Sequence, residues 1–64
     1  MWTVVYIARS KEIADRLREL LEKDGMLVKV RPISKSSDNP ETSYEVLVPE
    51  SEVEQAHNVI IDIN

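Results

Sequence analysis

The 64 residues contain no cysteine and no phenylalanine, and only one glycine, one histidine and one tryptophan. Each scarcity closes a route. Without cysteine there is neither a disulfide nor a thiolate metal site. The lone histidine, His57, cannot found a histidine-based metal centre without carboxylate help. One glycine is too few for a glycine-rich phosphate loop. No apolar run nears the ~18 to 20 residues of a membrane span. The opening residues are apolar but lack the basic start and cleavage site of a secretory signal. The expectation is a soluble, cytoplasmic protein that does not engage membranes.

Basic residues are missing from the second half. All eight Lys and Arg lie at or before Lys35, among five acids; from Ser36 onward there are seven acids and no base. The balance swings from +3 to −7, which together make the net charge of −4. An acidic chain repels phosphate backbones, and no basic stripe interleaved with aromatics counters that. Nucleic acid is therefore not an expected partner.

The length allows one domain, residues 1–64. A chain this short buries only about 60% of its unfolded surface, and small scaffolds usually add a staple. With disulfides and metals set aside, efficient packing or self-association remains.

Residues 2–8, WTVVYIA, read as an apolar strand. Ser10 is placed to cap a helix over roughly 10–24. Ile13, Ala14, Leu17, Leu20 and Leu21 form its apolar stripe, with Glu12–Arg16 and Glu19–Lys23 on the outer face in the favourable order. Gly25 sits where the helix needs a positive φ to stop. Residues 26–31, MLVKVR, alternate as a strand that ends at Pro32. The stretch 33–43 is rich in Ser, Asp, Asn and Pro and reads as a loop. Residues 44–48, YEVLV, are a third strand. After Pro49, Ser51 with Glu54 offers a capping box for a second helix, whose stripe is Val53, Ala56, Val59, Ile60 and Ile63.

The order is βαββα. A right-handed crossover followed by a long hairpin lays the strands as 1-3-2 with both helices on one face. That is an α+β ferredoxin-like plait lacking its last strand. The uncovered face is then apolar. Leu27, Lys29, Arg31 and Leu47 point away from the helices, joined by one face of the first strand, taken as Trp2, Val4 and Tyr6. A contiguous apolar patch of this kind marks an interface. The first strand is also an edge, with no Lys or Pro inside it to discourage pairing. Both features point to a homodimer or a higher closed oligomer.

Catalytic signals are missing. His57 falls beside the second helix's apolar stripe and reads as an ordinary helix residue. Ser34, Ser36, Ser37 and Ser43 are turn formers. Lys35 has nothing apolar around it to lower its pKa. Glu50, Glu52 and Glu54 favour the start of a helix and do not converge on one ligand. The expectation is no enzyme, no metal and no cofactor. The loop, with Ser34, Lys35, Ser36 and Asp38, is a candidate mobile segment.

Taken together, MWTVVYIA, EIADRLRELLEKDGMLVKV and YEVLVPESEVEQAHNVI resemble the prokaryotic signal-transducing protein family, a domain of unknown function. The resemblance spans almost the whole chain. It implies a fold like that of the PII signalling proteins, a bacterial cytoplasmic origin, and a signalling role for the loop at 33–43. The loop has neither a tyrosine nor a basic stretch of the kind that a modified or nucleotide-binding loop would carry. The function expected is a non-catalytic regulatory module that binds itself or another protein. The alternative is a sensor of a small anion or nucleotide, held at an oligomer interface and loop 33–43. An enzyme completed by a partner chain comes last.

Overall fold

A computed structural model describes residues 1–33 and 42–63, apart from the Ile63 side chain. Strand β1 covers Trp2–Ala8 and helix α1 Lys11–Lys23. Strand β2 is Lys29–Ile33 and strand β3 Ser43–Pro49. A 3-10 turn, Glu50–Glu52, leads into helix α2, Val53–Ile63.

Helix α1 begins and ends where its local chemistry dictates. Ser10 lies in extended backbone, and its hydroxyl accepts the Ile13 N–H at 3.2 Å. That satisfies one of the first-turn amides left without a helical partner. At the other end Gly25 takes a φ of 90°. Its amide donates to the Glu22 carbonyl at 2.9 Å, and the Met26 amide donates to the Leu21 carbonyl at 3.1 Å. This pair of bonds is the Schellman stop, and it brings Leu21 and Met26 together in the core. Gln55 of α2 then donates to the Asp24 carbonyl oxygen at 3.2 Å and to its carboxylate at 3.0 Å. The second helix is thereby tied to the end of the first.

The sheet runs β1-β3-β2, with β3 antiparallel to both neighbours. This is the expected α+β arrangement, a βαββα plait without a fourth strand among the described residues. Ala14, Leu17 and Leu21 of α1 share one buried cluster with Ala56 and Ile60 of α2, and with Val46 and Val48 of β3. Both helices therefore cover the same face.

Three local expectations shift. Strand β2 starts later than residue 26 and runs through Pro32, which pairs with Tyr44. An edge strand needs only one hydrogen-bonding side, so a missing N–H on the outer side costs no ladder bond. Pro49 is the last residue of β3, and Ser51 falls within the 3-10 turn that precedes α2.

The third shift matters most. Val4 pairs with Leu47 and Tyr6 with Val46, which leaves Val5 as an extra residue in a β-bulge. A bulge reverses the alternation of side chains beyond it. Val5 and Tyr6 consequently both pack against the core cluster, while Ile7 turns out. The bulge also blunts β1 as an edge, contrary to the expectation of an unprotected one.

Candidate functional site

The candidate site is the face of the sheet that neither helix covers. Directly paired residues share a face. Val4, Leu47 and Lys29 therefore form one row across it, and Ile7, Glu45 and Arg31 form the next. Trp2 stands two residues before Val4, on the same side. Val28 and Val30 pack against the core, so Leu27 also points away from the helices.

Four of these side chains are large, apolar and open to solvent. Trp2 is 44% exposed, Val4 37%, Ile7 51% and Leu27 66%. Two of the expected members differ. Tyr6 is packed against the helix-side core because of the bulge, and Ile7 takes its place. Leu47 lies on the open face but is only 4% exposed, and it does not belong to the cluster under the helices. Val4 and Lys29 flank it in register, and the Lys29 Nζ stands 5.8 Å from the centroid of the Trp2 ring. The aliphatic stem of Lys29 covers apolar surface while its ammonium meets the electron-rich ring face.

One of the two cations on the face is paired with its anion. The Arg31 Nε and Nη2 donate to Glu45 Oε1 at 2.9 and 2.7 Å. With Lys29 held over Trp2, the face carries two cations and one anion on a chain of net charge −4.

Residues 2–8, WTVVYIA, are apolar in both alternating sets, so the sequence did not choose between Tyr6 and Ile7. A strand apolar on both faces fits a bulge, because each half then buries a different set. No signal marked the shelter of Leu47.

The other candidates do not assemble. His57 is exposed on α2. Glu50 and Glu54 are exposed, and no group of three His, Cys, Asp or Glu side chains could hold a metal ion among the described residues. Ser34, Lys35, Ser36 and Asp38 lie outside the described residues. No described helix is long and apolar enough to cross a membrane.

These features define a three-stranded α+β plait with one helix-covered and one open apolar face. Compared with family models, curated proteins and solved structures, the chain has no match.

Proposed function

We propose that this chain is a non-catalytic regulatory module of the bacterial cytoplasm, acting by docking through its open sheet face, first of all onto a second copy of itself. The observation that carries this reading is the row of Trp2, Val4 and Ile7, uncharged and solvent-exposed on one side of a chain with few other means of gaining stability. The Arg31–Glu45 pair supports it, because it leaves Lys29 as the one uncompensated charge among the described face residues, and a face with little net charge brings little repulsion when two copies meet. The sequence resemblance to prokaryotic signal-transducing proteins agrees with a regulatory role.

Sedimentation velocity at tens of micromolar tests it, with the native chain beside Ile7→Lys. A native dimer or closed oligomer, reduced to monomer by the lysine with circular dichroism unchanged, is the expected result. A native monomer removes self-docking, and an oligomer indifferent to Ile7→Lys moves the interface off this face.

A further inference from the structure

On the opposite side of the sheet, an open cleft of about 380 Å³ lies between α1 and the β2 edge. That is the size of a small-molecule site. Its walls are Lys11, Asp15 and Arg18 from the helix and Val30, Pro32 and Tyr44 from the sheet. Spacings of four and then three residues put the charged side chains on one stripe of α1. Their signs run plus, minus, plus.

Asp15 is partly buried, and no ion pair joins it to Lys11 or Arg18 among the described residues. Lys11 stands N-terminal to Asp15, the weaker order for an i,i+4 pair. Arg18 leans the other way, toward Glu22, at a long 3.9 Å between exposed groups. Such a surface contact is readily exchanged for a better one.

The wall selects against simple ligands. A bare anion between the two cations meets the Asp15 carboxylate. A bare cation at Asp15 has a positive group on either side. A molecule that carries both charges on groups bonded to one carbon satisfies the wall, and an apolar substituent then falls on Val30, Pro32 and Tyr44. We infer that this cleft binds a free α-amino acid with an apolar or aromatic side chain. Asp15 accepts from the ammonium, and the Arg18 fork holds the carboxylate in the planar geometry that guanidinium favours. Lys11 leaves the wall with one net positive charge, which favours the carboxylate end.

The test is a backbone-amide NMR titration of the full chain with L-phenylalanine, 3-phenylpropionate and phenethylamine. Saturable shifts confined to residues 14–18, 30–31 and 44 are expected with phenylalanine, and roughly tenfold or more weaker binding for each analogue. Asp15→Asn, on the helix surface, should weaken phenylalanine roughly tenfold and strengthen phenylpropionate, with circular dichroism unchanged. The inference is overturned by the absence of saturation at about 10 mM phenylalanine. It is equally overturned by phenylpropionate binding as tightly as phenylalanine, or by indifference to Asp15→Asn. Because the cleft and the open face lie on opposite sides of the sheet, failure here leaves the docking reading untouched.

Discussion

Lys29 and Trp2 belong to opposite edges of the sheet, yet the Lys29 ammonium stands 5.8 Å from the Trp2 ring centroid, across the central strand that carries Leu47. Leu47 is itself only 4% exposed. A cation above an indole is worth about 0.5–1 kcal/mol at an exposed site.

A double-mutant cycle on Trp2→Leu and Lys29→Met measures that coupling by urea unfolding. The expected interaction energy is about 0.5 kcal/mol or slightly more. Trp2, the only tryptophan, reports directly, since Lys29→Met should change its fluorescence. Additive single-mutant effects would show that the contact contributes nothing.

The Arg31–Glu45 pair makes a separate prediction. Two of the three guanidinium nitrogens, Nε and Nη2, converge on one carboxylate oxygen, and Glu45 is the less exposed partner. Arg31→Gln should cost about 0.5–1 kcal/mol at low ionic strength, the upper part of the range for surface pairs, since two donors meet a partly sheltered carboxylate. Raising salt toward 1 M, where the Debye length falls to about 3 Å, should shrink that difference. Unfolding both proteins at two salt concentrations checks it; a salt-independent gap would point to lost packing of the arginine stem instead.

Gly25 isolates a backbone effect. A Cβ placed there meets nothing within 4 Å, while φ is 90°. Any penalty on substitution is therefore conformational and not steric. Gly25→Ala should destabilise by about 1–2 kcal/mol, and Gly25→Asn by less, because Asn tolerates the left-handed region better. For a small domain, whose whole stability is about 0.05–0.15 kcal/mol per residue, either shift is easily read in a urea midpoint. Equal costs for the two substitutions would contradict this account.

The sequence was most informative where structure follows from neighbours a few residues apart. Ser10, the Ile13-to-Leu21 stripe and Gly25 announce α1 almost to the residue, because caps and helical periodicity act over single turns. The strand order also followed, since few arrangements of βαββα avoid a left-handed crossover. Pro32 misled for a definable reason. Its missing N–H excludes it from a central strand, but the 1-3-2 order already makes β2 an edge, where one side needs no donor.

The open face divides along the same line. That one face would be apolar was legible from alternation in the strand sequences. Its membership was not. The Val5 bulge exchanges Tyr6 for Ile7, and its position depends on pairing with β3 about forty residues away in the chain. Leu47 changed status for a similar reason, since its cross-strand partners Lys29 and Val4 lie on the two flanking strands.

The chain by itself determined its helices, its strand order and the absence of cysteine chemistry, because these rest on composition and on interactions within a turn or two. Tertiary structure alone decided which side chains of β1 face solvent, that Leu47 is covered, and that Lys11, Asp15 and Arg18 border a cleft floored by β2 and β3. Those outcomes depend on contacts between residues distant in sequence, and local periodicity carries no record of them.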